Sequence, residues 1–367
     1  MKKWALVLGG GGAKGAYHLG VWQALCEMNI EVDFICGTSI GAINAAMICQ
    51  GSFEELQSVW GNITIEEVVD LSDIDILGQK LFDIKNLKNV AEKALGSGLE
   101  MSPLRAILDE YIDEERVRTS DMEFALVTCR ASDLEEIALT KADIPHGRLV
   151  DYLMASASIP GFKPAVIDGE AYYDGGVRNN LAFDIPVEQG KKDIIIVDIG
   201  GPGVVKPRNF VGINAVEIKV SENVIGLMEF TPEAIEKAIK MGYYDCYKTF
   251  SRLEGSIYNF NIGDYKRARL LYSANILEGI EIAGEILGID KFKVYSIESF
   301  INGVVTLFEK AQNSGSANDD VKNLIRITEE ILAGNEDKFT NKIKSGFAGE
   351  AKKGAYALVY FKNYKKM

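Results

Sequence analysis

The chain has 367 residues, 47% of them apolar, which is enough for one large domain or two ordinary ones with a sizeable core. Its net charge of −13 excludes the basic footprint of a nucleic-acid binder and works against adsorption of the whole surface to anionic lipid. The five cysteines are scattered singly and the only histidines are His18 and His146, so the common zinc spacings are absent and the thiols suit a reducing, cytoplasmic compartment.

In chain order, "KWALVLG" predicts a short strand that ends on glycine. The start "MKKWALVL" mimics a secretion signal, but its five apolar residues fall short of the usual apolar stretch, so residues 4–8 are read as strand. No run approaches the ~18 apolar residues of a membrane span, and a soluble intracellular protein is expected. "AYHLGVWQALCEM" carries Leu19, Trp22 and Leu25 at helical spacing. "EVDFICG" follows as a second strand and "IGAINAAMICQG" as a second helix stopped by glycine. "MEFALVTCR" and "KDIIIVDIGG" are further β-rich runs. Short apolar strands alternating with helices predict an α/β class over residues 1–203, with a mostly parallel sheet covered on both faces. Ligands of such sheets sit at the carboxyl ends of the strands. From 204 to 335 the texture becomes helix-rich, with "NSGSAND" (313–319) read as a loop. Residues 336–367 form a basic, aromatic segment in which "GAYALVYF" (354–361) fits a strand or a helix equally. The last thirty residues hold eight lysines against one glutamate, leaving −20 on the rest of the chain.

The chemistry gathers at the ends of the first two strands. "GGGAKG" (10–15) satisfies GxGxxG, yet a dinucleotide site also wants an acid at the end of the second strand, and here that strand ends on Cys36 and Gly37. A phosphate-binding Walker loop wants Ser or Thr after the lysine, and Lys14 is followed by Gly15 and Ala16. The remaining anion is an oxyanion. "GTSIG" (37–41) matches GxSxG, which places Ser39 on a sharp strand-to-helix turn flanked by Gly37 and Gly41, above a helix N-terminus that favours negative charge; a plain helix N-cap serine is the alternative. A serine nucleophile needs a base. No histidine follows position 146, so no acid beyond that point can be followed by one; His146 is read as a loop residue before a helix, and His18 could approach the site from the first helix. The other candidate is Asp174 in "YYDGGVRNN", where Gly175 and Gly176 allow a close approach; an Asp-Gly turn is its bland reading.

"GGGGAKG", "GTSIG", "DGG" and the stretch "MASASIPGFKPAVIDGEAYYDGG" together resemble the patatin-like phospholipase family over roughly residues 4–200. The resemblance implies a three-layer α/β fold and a Ser–Asp dyad, with Ser39 as nucleophile and Asp174 as base. The backbone N–H groups of Gly10, Gly11 and Gly12 would form the oxyanion hole, supported by Lys14, Gly15, Gly37, Gly41, Gly175 and Gly176. Lys14 stands where the family commonly has arginine, and "NNLAFDIP" departs from relatives that run more directly from asparagine to proline. The implied activity is lipid acyl-ester hydrolysis, on phospholipids, lysophospholipids, galactolipids or glycerides, with neither metal nor organic cofactor. The rival readings are a catalytically silent lipid-binding protein and a nucleotide-binding protein that uses GxGxxG. The C-terminal lysines (Lys352, Lys353, Lys362, Lys365, Lys366) among Tyr356, Tyr360, Phe361 and Tyr364 suggest a peripheral membrane contact, against an ordinary solvated terminus.

Overall fold

Strand β1 (Lys3–Leu8), five of whose residues are buried, runs through an eight-stranded sheet. The computed structural model describes residues 2–70, 98–314, 317–334 and 346–364. These fall into two compact units, residues 1–249 and 250–367.

In the first unit β1 is followed by α1 (Ala16–Glu27), β2 (Glu31–Thr38), α2 (Ile40–Cys49) and α3 (Phe53–Asn62). After α4 (Ser102–Tyr111) and α5 (Glu114–Thr119) come β3 (Glu123–Arg130), β4 (Glu136–Thr140) and α6 (Leu149–Ala157). The unit continues through β5 (Ala165–Ile167), β6 (Glu170–Asp174), α7 (Asp184–Glu188), β7 (Asp193–Asp198), β8 (Asn214–Lys219) and α8 (Pro232–Thr249). Strands β3, β2, β1, β7 and β8 lie side by side and parallel; β4, β5 and β6 add antiparallel pairings at the β3 end. Alternate residues Ala5, Val7, Phe34, Cys36, Ala125, Val127, Ile194 and Ile196 pack with Leu181, Phe183 and Ile185 on one face. On the other face α2 lies against β1, β2 and β3. Burial on both faces is why these strands read as continuous apolar runs rather than as alternating ones.

One register places the chemistry. β4 occupies one edge of β3 along Ala125–Cys129. β2 and β6 therefore share the other edge end to end: β2 pairs as far as Thr38 with Val127, and β6 takes over where Asp174 pairs with Thr128. The last residue of β6 thus abuts the turn that leaves β2.

The sequence texture changes near 204, but the first unit continues to 249, because β8 extends the parallel sheet and α8 packs along α1. The two helices meet at Gly20 and Gly242. A Cβ on Gly20 would overlap the Ile239 carbonyl oxygen, and one on Gly242 would overlap that of Tyr17. Nearby, the Tyr17 hydroxyl donates to Asp245 Oδ2 (2.9 Å), which also accepts the Ser221 N–H (3.0 Å). Gly20→Ala is therefore expected to destabilise the protein by about 1–3 kcal/mol, as overpacking does. The control Gly61→Ala, where a Cβ meets nothing within 4 Å, should be neutral or stabilise by up to about 1 kcal/mol through helix propensity. Urea denaturation of both variants checks the contrast.

The second unit holds β9 (Leu253–Glu254), β10 (Asn259–Asn261), α9 (Ile262–Leu271), α10 (Ala274–Ile286), β11 (Val294–Tyr295), α11 (Ile297–Ser314), α12 (Asp319–Leu332) and α13 (Gly346–Tyr364). Its core includes Tyr258, Phe300, Phe308, Leu358 and Phe361. The buried Glu281 is its polar anchor. Oε2 accepts the N–H groups of Ser256, Ile257 and Tyr258 (2.8, 2.7 and 3.0 Å), and Oε1 accepts the Tyr265 hydroxyl (2.9 Å).

This unit decides between strand and helix in the C-terminal segment and removes Phe361 from the membrane contact expected there. Residues 354–361 are helical, and Phe361 is buried in the core rather than offered to a membrane. Lys353 pairs with Glu278 at 2.6 Å, Lys352 lies over the Tyr356 ring and Lys362 over the Phe308 ring. The physical reason is that one face of α13, through Ala351, Ala355, Leu358 and Phe361, is needed to close the core. Lys365, Lys366 and the Tyr364 side chain lie outside the described residues. Among the described residues no helix is long and apolar enough to cross a membrane.

Candidate active site

Ser39 caps α2 with φ +57° and ψ −130°, a backbone conformation that a residue with a side chain rarely adopts. The turn is held because its flanks are bare: a Cβ on Gly41 would overlap the Leu8 carbonyl oxygen, and one on Gly37 would overlap Gly41. The Ser39 N–H donates to Ser156 Oγ (2.9 Å), whose own hydroxyl donates to Val127 O (2.6 Å). Thr38 Oγ1 donates to Asn179 O (2.9 Å). The strained turn is thus tied to β3 and to the chain after Asp174.

Asp174 reaches the same point from β6. It is 4% exposed, and Oδ1 accepts the Gly176 N–H at 2.6 Å. Oδ2 is buried without a hydrogen bond of normal geometry. Burial pushes this carboxyl up to about 6 from an ordinary 3.8, against the opposing pull of the Ser39 hydroxyl and the Gly176 N–H. A carboxylate raised this way is a better proton acceptor near neutrality than an exposed aspartate.

The glycine loop lies beside the serine. Its tight path needs glycine most clearly at Gly12, which has φ +55° and whose Cβ would overlap the Leu227 carbonyl oxygen. The Gly9 N–H donates to Val197 O (3.1 Å) and the Gly10 N–H to Asn180 O (3.3 Å). The N–H groups of Gly11 and Gly12 make no such backbone bond among the described residues, and both glycines line the cleft with Ser39 and Asp174. Gly15 caps α1 and packs on Ile40. Lys14 does not line this cleft; its Nζ donates to Gly200 O (2.9 Å) and ties the glycine loop to the chain after β7. Gly175 packs against Val127 and Thr38, which lets β6 close on β2.

The cleft has a volume of about 370 Å³. Beyond the polar floor its walls are apolar, with Ile40, Ile43, Ile63, Leu104, Phe162, Leu227, Met228 and Phe230 among them. No lysine, arginine or histidine is among its described lining residues.

Neither histidine reaches the serine's hydroxyl. His18 is fully buried, its Nδ1 is 3.2 Å from Asn44 Nδ2, and burial holds its pKa down at about 3. His146 is exposed beside Glu115. Three residues of the site were given no role by sequence reasoning: Ser156, Asn44 and Asn180. Asn44 donates to Gly15 O (3.0 Å) and accepts the Trp60 indole N–H (3.0 Å), joining α2 to the glycine loop and to α3. Asn180 accepts from Gly10, donates its N–H to Val204 O (2.7 Å) and its amide to Gly10 O (3.3 Å). Asn180 follows "DGG" closely enough that a search around that motif would have raised it; Asn44 and Ser156 look like ordinary helix residues.

The sequence of the first unit is similar to that of known proteins. The family model described as Patatin-like phospholipase matches residues 6–187. The chain is 32% identical over 199 residues to patatin-like phospholipase domain-containing protein 7 of Rattus norvegicus, and 28% identical over 202 residues to neuropathy target esterase sws of Drosophila melanogaster. Each match covers 53% of this chain and 13% of the relative, so the chain spans only a small part of the length of the curated relatives it matches. Among solved structures, VipD from Legionella pneumophila aligns over 97% of this chain and 90% of its own, with 14% identity and a TM-score of 0.44. The family match runs unbroken from the glycine loop through the serine turn to the aspartate strand, and on residues 6–187 the chain belongs to the patatin-like phospholipase family.

Proposed function

We propose that the first unit is a lipid acyl-ester hydrolase of phospholipase A or lysophospholipase type, working through a Ser39–Asp174 dyad. One observation carries the reading: a serine on a strained elbow shares an apolar cleft with a buried carboxylate whose Oδ2 has no hydrogen bond of normal geometry and whose pKa is pushed up to about 6. The ester carbonyl lies against the serine, with its acyl chain along the apolar walls. Ser39 Oγ attacks the carbonyl carbon as Asp174 takes its proton, and the oxyanion is received by the N–H groups of Gly11 and Gly12. Gly10 is a weaker donor candidate than the resemblance implies, because its N–H is committed to Asn180. One such donor is typically worth ~3 kcal/mol. The carbon–oxygen bond to the alcohol then breaks, Asp174 returns the proton to the leaving oxygen, and an acyl-enzyme remains. Water, losing a proton to Asp174, attacks that acyl group; the bond from the acyl carbon to Ser39 Oγ breaks, Asp174 returns the proton to Oγ, and the fatty acid is released. The apolar walls count against the nucleotide reading, since a polyphosphate would find no cationic side chain among the described lining residues of the cleft.

A fluorophosphonate probe tests the proposal, because Ser39 Oγ would displace fluoride from its phosphorus and stay bonded to it. The expected result is a single adduct on the peptide that carries Ser39. Its rate should rise with pH as Asp174 ionises and level off above about pH 6–7, since the base works only as carboxylate. Labelling elsewhere, or a rate governed only by an ordinary carboxyl near 4, would overturn it.

A further inference from the structure

Among the described residues of the second unit, the most exposed large apolar side chains stand next to each other at the end of α9. Leu270 is 87% exposed and Leu271 is 71% exposed. They close the run Lys266-Arg267-Ala268-Arg269-Leu270-Leu271-Tyr272. Ala268 faces the core, while Lys266, Arg267 and Arg269 are exposed. Arg267 is paired at 3.3 Å with Asp264, the single acid of this helix, and Arg269 lies over the Tyr265 ring. Three basic side chains against one aspartate leave a net charge of +2 on a helix of a protein whose total is −13. Tyr272 meets the partly exposed Tyr360 edge-on, 6.1 Å between ring centres, so an aromatic pair borders the leucines.

We infer that this helix end is a docking surface for anionic lipid, with Leu270 and Leu271 entering the interface and Lys266, Arg267 and Arg269 meeting the headgroups. Burying neither leucine in the fold leaves apolar area that gains free energy only when something covers it. Side chains this exposed protrude; a bilayer interface deforms around them, whereas a protein partner would have to offer a matching pocket. The adjacent positive charge selects anionic lipid among lipid surfaces, and tyrosines favour the headgroup level. This contact is distinct from the C-terminal one read from the sequence, whose Phe361 is core. It does not rest on the hydrolytic reading.

Co-sedimentation with vesicles of ether-linked lipids, which an ester hydrolase cannot cleave, tests the contact. The full chain should partition at least about tenfold better onto vesicles of phosphatidylcholine with about a third phosphatidylglycerol than onto phosphatidylcholine alone, and high salt should remove most of that preference. Leu270→Ser with Leu271→Ser should lower binding to the anionic vesicles by about tenfold or more. Lys266→Glu with Arg269→Glu should abolish the anionic preference, which keeps the test decisive if the leucine variant folds poorly. Both variants should retain wild-type turnover of a soluble short-chain ester, a readout that stands apart from vesicle binding. Equal binding to neutral and anionic vesicles, or no loss in either variant, would overturn the assignment. So would a concentration-dependent dimer that the leucine substitutions abolish in a chain that ignores vesicles, because the surface would then be a self-contact.

Discussion

Replacing Ser39 by alanine should reduce kcat/KM for phospholipid, lysophospholipid and short-chain ester substrates by at least about a thousandfold, as removal of a nucleophile does. The fold should survive. Alanine occupies the same backbone conformation with a side chain no larger than serine's, and the turn is held through the Ser39 N–H on Ser156 rather than through its hydroxyl. Ser39→Gly separates chemistry from strain. It should be equally inactive, yet more stable by about 1–3 kcal/mol, because glycine adopts φ +57° without penalty. Steady-state assays across a lipid panel, alongside urea denaturation of both variants, decide the matter. A folded Ser39→Ala protein with near-native turnover would remove the serine from the mechanism; a Ser39→Gly protein no more stable than wild type would mean the elbow stores no strain.

Asp174→Asn should also cost on the order of a thousandfold in kcat/KM, since an amide cannot accept the serine proton. Its effect on stability should have the opposite sign at alkaline pH. The folded carboxyl titrates near 6 and an unfolded one near 3.8, so the native state resists ionisation. Well below pH 4 both states are protonated and the group costs nothing. Between pH 4 and 6 the unfolded chain ionises first, stability falls, and above about pH 6 the loss is complete at about 3 kcal/mol. Asparagine avoids that loss and can still accept the Gly176 N–H that now bonds Oδ1. The variant should therefore be more stable than wild type at pH 8, by up to about 3 kcal/mol, with the difference falling below about 1 kcal/mol near pH 4. Urea melts at pH 4, 6 and 8 measure it. Uniform destabilisation across that range would make Asp174 a structural cap and not a desolvated base.

Much of the site was legible because its demands are local. Gly37 and Gly41 stand where a backbone carbonyl or a neighbouring residue leaves no room for a Cβ, and that need is written in residue type two positions either side of Ser39. The apolar run of residues 4–8 was legible as a strand, and β1 is a buried interior strand. Less legible were contacts that cross the sheet. Asn44 and Ser156 carry no motif, since what makes them matter is a carbonyl of Gly15 or Val127 from elsewhere in the chain. The C-terminal segment misled for a related reason: lysines alternating with aromatics look the same whether the aromatic face meets lipid or, as for Phe361, the protein's own core.

The sequence by itself determined the α/β class, the nucleophile-elbow pattern, the glycine loop and the short list of bases, because each follows from steric or chemical limits acting over a few neighbouring residues. Which of the candidate bases stands by the serine was decided only by the sheet. β2 and β6 share one edge of β3, so Asp174 ends beside the turn at Ser39, while His18 is buried against Asn44. The tertiary fold likewise decided which glycine N–H groups stay uncommitted, since Asn180 arrives from 170 residues away to take that of Gly10. Burial, too, belongs to the assembled fold: the same Asp-Gly-Gly in an exposed turn would hold an ordinary carboxyl, and only enclosure in an apolar cleft pushes Asp174 up to about 6.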